Sequence, residues 1–341
     1  MRVLVTGDRG YIGSILAPFL DACGHDVVGL DADLYAGCDF GPPPTLEPSR
    51  RVDVRDVRPA DLAGFDAVVH LAALSNDPLG DLSRDLTLSI NLEGTLNVAR
   101  SAREAGVRRF VFASSCSMYG AAEADEILDE DSPLRPLTPY AESKVRAEEG
   151  LRELADGDFW PVSMRNATVY GVSPRLRLDV VLNNLVAWAH TTGRIRLLSD
   201  GSSWRPLVHV RDVALVTRKL LEAPPELVSG TAYNVGSAEQ NYLIRELADL
   251  VAGVTGCEVE FADEAASDPR SYRVDFARLG DAFPDLGLEW DAARGVQELV
   301  DAYRGRALTT EAFEGRPYVR LRQLRHLLDA GELDERLRRR R

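Results

Sequence analysis

Between Met1 and about Arg165 the sequence repeats one unit, a short run of β-branched and other apolar residues followed by a longer amphipathic stretch. RVLVTG precedes the segment Tyr11 to Cys23, and DVVGLD, RRVDV, AVVHLAA, RRFVFASS and PVSMRN continue the series. Between them, Asp81 to Ala105 and Pro139 to Ala155 are long and amphipathic enough to be helices. The short runs are apolar almost throughout, as strands covered by helices on both faces should be, so the expected fold is α/β with a doubly wound parallel sheet.

After Gly171 the rhythm weakens. Leu178 to Thr192 reads as a helix, SDGSSWRP as a polar loop, and LVHVRDVALVTRKLLEA as a strand and helix. TAYNVG is again a short buried type of strand, so the chain is expected to return to the first sheet at about 206–235. The sheet domain is thus read as 1–171, and a smaller C-terminal α/β domain for substrate as 172–205 with 236–308. A C-terminal helical extension follows at 309–341, with Leu321, Leu324, Leu327 and Leu328 at helical spacing. Its RLRRRR end reads as a solvated basic helix end. The one biased segment is GPPP at Gly41 to Pro44.

Composition removes several function classes. Asp plus Glu number 54 against 40 Lys plus Arg, a net charge of −14, and such a field repels phosphate backbones, so no nucleic-acid partner is expected. No apolar run reaches the roughly 20 residues of a membrane span, and MRVLVTG has none of the parts of a signal peptide; no membrane association and a cytoplasmic location are expected. The four cysteines form no CxxC pair and the five histidines no HxH or HxxxH pair, so no metal is expected.

The first strand ends in Thr6-Gly7 and runs into Asp8-Arg9-Gly10-Tyr11-Ile12-Gly13, with glycines at three-residue intervals where strand becomes helix. Glycine permits the turn and lets a pyrophosphate reach the helix N-terminus, which favours negative charge; tight strand-to-helix packing is the plainer alternative. The second strand closes at Asp31, where a carboxylate would accept the adenosine ribose hydroxyls of NAD and repel the 2′-phosphate of NADP. Arg9 is a basic residue in the loop that would act the other way. The fold is then Rossmann-type, with NAD as cofactor. Asp53, followed by Val54, would take the adenine amino group or serve as a turn residue.

Tyr140-Ala141-Glu142-Ser143-Lys144 has the Tyr-x-x-x-Lys spacing that sets both side chains on one helix face. A phenol of pKa about 10 is a poor base at neutral pH, and an ammonium one turn away brings it toward the working range. The pair follows a strand end, Ala113 to Gly120, at the carboxyl edge of the sheet, where doubly wound folds bind ligands.

Taken together, Thr6 to Gly13, Asp31, His70-Leu71-Ala72-Ala73, Ser114 to Gly120 and Tyr140 to Lys144 resemble the extended short-chain dehydrogenase/reductase family. The chain is similar in particular to its nucleotide-sugar epimerases and dehydratases, over about residues 1 to 305. The resemblance implies an enzyme that transiently oxidises a sugar carbon, usually C4, and a homodimer formed through the two long helices. It implies that Tyr140 removes the hydroxyl proton, that Lys144 binds nicotinamide ribose and lowers the Tyr140 pKa, and that Ser115 hydrogen-bonds the reacting oxygen. NAD would be held by Gly7, Arg9, Gly10, Tyr11, Ile12, Gly13, Asp31, Asp53, Val54, Leu71, Ala72, Ala73 and Asn91, with Tyr140 and Lys144. Arg205 and Arg270 fall where the family places arginines on the diphosphate of the nucleotide sugar.

Two departures bear on the reaction. Sugar 4,6-dehydratases carry Asp and Glu just after the Ser/Thr, and here those positions are Cys116 and Ser117, which disfavours ordinary 4,6-dehydration. Cys116 would be either a small buried filler or an acid/base residue of an unusual dehydratase. Thr168 stands at the usual place of a substrate-contacting asparagine, a task that Asn166 or the pair Asn183 and Asn184 would take over. The expected function is a nucleotide-sugar epimerase working through a 4-keto sugar. A dehydratase using Cys116, and a non-catalytic NAD sensor or scaffold on the same fold, are the alternatives.

Overall fold

Side-chain alternation along single strands builds the large sheet. In β1 (Arg2–Thr6), Val3 and Val5 enter one apolar core and Leu4 the other. The same division separates Ala67 and Val69 from Val68, and Val111 from Phe110 and Phe112, so both faces are covered and the runs read as continuously apolar. The computed structural model describes residues 1–42, 48–75, 83–122, 126–266 and 270–340. Its large sheet adds β2 (Asp26–Asp31), β3 (Ser49–Arg51), β4 (Ala67–His70), β5 (Arg109–Ser115), β6 (Trp160–Asn166) and β7 (Thr231–Val235). The spatial order is β7-β6-β5-β4-β1-β2-β3, with every pairing parallel. The order reverses between β1 and β4, and the strands' carboxyl ends open there into a crevice.

Helix α1 (Gly13–Ala22) packs on one face, and α2 (Gly94–Glu104) and α3 (Pro139–Leu154) on the other. The segment expected to be one helix from Asp81 to Ala105 is interrupted. Asp81 and Leu82 lie outside the described residues, Ser83 caps a turn at Arg84–Thr87, and a π-helical turn spans Leu88–Glu93 before α2. The third strand is also shorter than RRVDV, because Asp53 accepts the Arg55 backbone N–H and starts a 3-10 turn. Of the proline-rich run, Pro43 and Pro44 lie outside the described residues.

The return to the large sheet is narrower than the span 206–235. Trp204–His209 belongs to a separate three-stranded sheet, between Thr168–Tyr170 and Asn241–Leu243. The large sheet is rejoined by helix α5 (Val210–Glu222), which packs beside α1, and then by β7. Helix α4 (Val181–Thr192) lies in a third apolar core with Tyr170, Leu247 and Leu299.

The C-terminal segment departs most from expectation. Helix α6 (Arg320–Asp329) buries Leu324 and Leu327, with Leu333 and Leu337, against Leu74, Leu86 and Ile90 beside the crevice. The basic end beyond it is not helical, and although Arg336, Arg339 and Arg340 remain exposed, it is tied down at Leu337 and Arg338. Leu337 is buried with φ +55°, Arg338 ion-pairs with Asp53 and Asp56, and Arg339 donates to the Asp33 carbonyl at 2.7 Å. The acidic turns that frame the crevice attract this basic segment.

Candidate active site

One cavity of about 870 Å³ runs from the glycine turn and Asp31, past Tyr140, to Arg205 and Arg270. The turn is built by close approach. Gly7 has φ +74°, and a Cβ there would stand 2.9 Å from the Ala72 nitrogen; a Cβ on Gly13 would stand 2.6 Å from the Asp8 Cα. Gly10, Tyr11, Ile12 and Gly13 line the cavity, and α1 has no side-chain cap on its N-terminus, so a diphosphate fits there.

Asp31 accepts from the backbone N–H of Asp33 at 2.7 Å and of Arg9 at 3.2 Å. Burial pushes its carboxyl up to about 6, against the pull of the Asp33 N–H, and Asp8 and Asp33 add to the rise. The guanidinium of Arg9 does not turn to the cavity: it pairs with Asp33 at 3.2 Å and donates to Ser49. Asp53 lines the cavity and is also the turn residue of the plainer alternative, gripped by the Arg55 guanidinium at 2.7 and 2.9 Å. Val54, Leu71, Ala72 and Ala73 line the same stretch. Asn91 does not. It is wholly buried and clamps the Leu74 backbone, accepting its N–H at 2.8 Å and donating to its carbonyl at 3.0 Å, and it donates to Ser143 of α3. Its role is to position the loop after β4.

At the carboxyl end of β5, Thr138 caps α3 and Pro139 opens it, so that Tyr140 and Lys144 face the sheet edge. Lys144 is 3% exposed, donates from Nζ to the Ala113 carbonyl at 2.6 Å, and lies 4.5 Å from the Phe112 ring centre and 5.7 Å from that of Tyr140. Burial lowers its pKa to about 7, with Glu148 pulling it back up. The buried ion pair of Glu148 with Arg165, at 2.8 Å, ties α3 to β6. Ser115 and Ser117 line the cavity, Ser115 Oγ accepting the Ser117 N–H at 3.1 Å. Cys116 does not line it. Its thiol, 1% exposed, donates to the Arg165 carbonyl at 3.0 Å, and burial drives its pKa far up.

The remaining candidates divide in the same way. Asn166, Thr168, Asn184, Arg205 and Arg270 line the cavity. Asn183 is wholly buried, donating to the Arg177 carbonyl at 2.9 Å and accepting the Gly171 N–H. Arg205 donates to the Arg270 carbonyl, so the two arginines share one wall. Sequence reasoning missed Arg177, Trp188, Tyr272, Arg320 and Leu337, all on the cavity wall. No local pattern marks them, because each reaches the site through tertiary packing.

The sequence model of the NAD-dependent epimerase/dehydratase family matches residues 3–236. A UDP-glucose 4-epimerase of Mycolicibacterium smegmatis is 32% identical over 324 residues, 90% of this chain and 100% of the relative. A dTDP-glucose 4,6-dehydratase of Streptomyces griseus is 30% identical over 297 residues, 82% of this chain and 87% of the relative. Among solved structures, MoeE5 in complex with UDP-glucuronic acid and NAD superposes with a TM-score of 0.77 at 28% identity, over 90% of this chain and 100% of that one.

Proposed function

The chain belongs to the NAD-dependent epimerase/dehydratase family, and from that premise we propose that it inverts C4 of a nucleotide sugar through a transient 4-keto sugar. The observation that carries the choice of epimerisation is that, among the described residues, no acid stands beside the reacting residues. Among the described residues, the carboxylates on the cavity wall are Asp31 and Asp53 near the glycine turn and Asp179, which pairs with Arg177 at 2.8 Å. Where the family's dehydratases carry two carboxyl groups, Ser117 offers a hydroxyl and Cys116 faces away from the cavity. Elimination then lacks a proton donor for its leaving hydroxyl, whereas oxidation and re-reduction need none. The dehydratase reading that used Cys116 as acid or base is not supported by this placement.

NAD, when bound, supplies a reversible hydride acceptor. The glycine turn, Asp31 and Asp53 would hold its adenosine half, and Lys144 its nicotinamide ribose. Tyr140 would take the proton of the sugar hydroxyl and later return it, with the Lys144 ammonium stabilising the phenolate and Ser115 donating to the reacting oxygen. Arg205 and Arg270 would pair with the substrate diphosphate, and Asn166, Thr168 and Asn184 would face the sugar. A homodimer formed through α2 and α3 belongs to the same proposal. The assembled Tyr140, Lys144 and Ser115 argue against a sensor or scaffold, which needs no such triad.

UDP-glucose is the first substrate to test. Mass spectrometry of the product is expected to show unchanged mass and NMR an inverted C4, and Tyr140→Phe is expected to lower turnover at least about a hundredfold while NAD remains bound. Loss of water from the product, or wild-type turnover in Tyr140→Phe, overturns the reading.

A further inference from the structure

Arg320 opens helix α6, beyond the region matched by the family model, and is one of the most deeply buried cations of the chain at 2% exposure. Its Nη2 donates to the Arg175 carbonyl at 2.7 Å, and its guanidinium carbon lies 4.4 Å from the centre of the Tyr35 ring. Among the described residues it has no carboxylate partner, and its buried Nη1 has no hydrogen-bond partner at all. Burial and the nearby Arg177 guanidinium oppose its charge, with Tyr35 and Asp179 favouring it. An unpaired buried guanidinium is costly, and here it stands on the wall of the ligand cavity.

Its neighbours say which part of the cavity it serves. Tyr35 follows β2 and Asp31. Arg175 sits beside Ser173, whose hydroxyl donates to the Tyr11 carbonyl at 2.8 Å and lies 2.9 Å from that of Ser14, so this segment rests on the glycine turn itself. Arg177, which the electrostatics place near both Tyr11 and Arg320, has its own charge met by Asp179 and its Nη1 bonded to Ser75 at 2.9 Å. Arg320 is therefore a cation without a charge partner among the described residues, on the cavity wall and bonded to the segment that rests on the glycine turn. The apolar anchors Leu324, Leu327, Leu333 and Leu337, with Arg338 on Asp53, fix the helix that delivers it.

We infer that Arg320 is a ligand of the cofactor's diphosphate, supplied across the cleft from the glycine turn by the C-terminal extension. This rests on the reading that the dinucleotide lies over the turn. A diphosphate there meets helix N–H groups on one side and a planar guanidinium fork on the other, which suits its charge and geometry. The extension thereby becomes part of the cofactor site, and not an appendage.

The test titrates the full-length apoprotein with NAD, ADP and adenosine. Arg320→Gln is expected to weaken NAD and ADP by about tenfold to a hundredfold, the scale of a hydrogen bond to a charged group, while adenosine changes less than about twofold. Arg320→Lys keeps the charge without the fork and should fall between; if Arg320→Gln does not fold, a loss in Arg320→Lys for ADP but not for adenosine carries the same conclusion. Equal losses for ADP and adenosine, or none for ADP, overturn the inference, as does a loss confined to UDP binding by the NAD-loaded protein, which would assign Arg320 to the substrate. Gly10→Asp separates the underlying reading: unchanged ADP affinity there means that the turn does not seat the diphosphate, whatever Arg320 does.

Discussion

The two ends of the cleft treat charge differently. Near the glycine turn, Asp33 collects Arg9 at 3.2 Å, Arg51 at 2.7 Å and Arg175 at 3.7 Å, and Asp53 is held by Arg55 and Arg338. Burial alone would raise both carboxyls, but these arginines hold them below the usual carboxylate range. Asp31, between them, has only backbone N–H donors and rises to about 6. At the reacting end Lys144 has a carbonyl and two ring faces but, among the described residues, no carboxylate within bonding distance, and falls to about 7. Asp33 and Asp53 are neutralised by partners. Asp31 and Lys144 have no ion-pair partner among the described residues and lie near the point where their charge is decided by what binds.

Lys144 offers the strongest test of that contrast. A lysine whose folded pKa lies below the unfolded value of 10.5 binds fewer protons folded than unfolded, so stability rises with pH between about 7 and 10.5 and the full penalty is present below 7. In the apoprotein, Lys144→Met should therefore be more stable than wild type by on the order of 3 kcal/mol at pH 7, the gap closing as pH approaches 10. Denaturant midpoints at pH 7 and 9.5 measure it. A variant less stable than wild type at pH 7 would show that the Ala113 carbonyl and the Phe112 face fully repay the buried charge.

Asp31 should respond with opposite sign. A carboxyl raised to about 6 carries its charge only above that pH, so repulsion of a 2′-phosphate is present at pH 8 and lost as pH falls through 6. The ratio of NADP to NAD dissociation constants is expected to shrink between pH 8 and 5.5. Asp31→Asn should lower that ratio at pH 8 by about tenfold, the equivalent of one pKa unit of differential interaction. A ratio unmoved by the substitution would mean that Arg9 and Arg51, although paired with Asp33, decide the choice.

What was legible in the sequence follows the same divide. The glycine turn, Asp31, Tyr140 and Lys144 are local, because a turn or a helix face fixes the spacing the chemistry needs. Helix boundaries near Asp81 to Ala105 were not, since the π-helical turn there depends on packing against α3. Asn91 and Asn183 carried side chains suited to ligands, but buried backbone groups of Leu74 and Gly171 claim them. Arg320, Leu337 and Arg338 were out of reach: they meet the site from some 280 residues beyond Asp53, and nothing local to RLRRRR tells that one of its arginines pairs with the acidic turns beneath it.

The smallest effect belongs to Cys116, which stands between the two kinds of group: it occupies a position that faces substrate in dehydratases, yet is partnered like a wall residue. Its thiol bonds the Arg165 carbonyl and sits in the core with Val111, Met164 and Tyr119, and burial raises its pKa so far that a thiolate does not form near neutral pH. Such a group fills space. Cys116→Ala should then cost about 1 kcal/mol of stability, through the lost packing and the small cavity left behind, and leave turnover within about twofold. Thermal unfolding and steady-state assays on the same preparation separate the two effects. A drop of more than about tenfold in kcat without a matching loss of fold would make the thiol a proton carrier, the scale being that of a lost acid or base. It would also return elimination to contention, because the cleft would then hold the proton donor that epimerisation does not need.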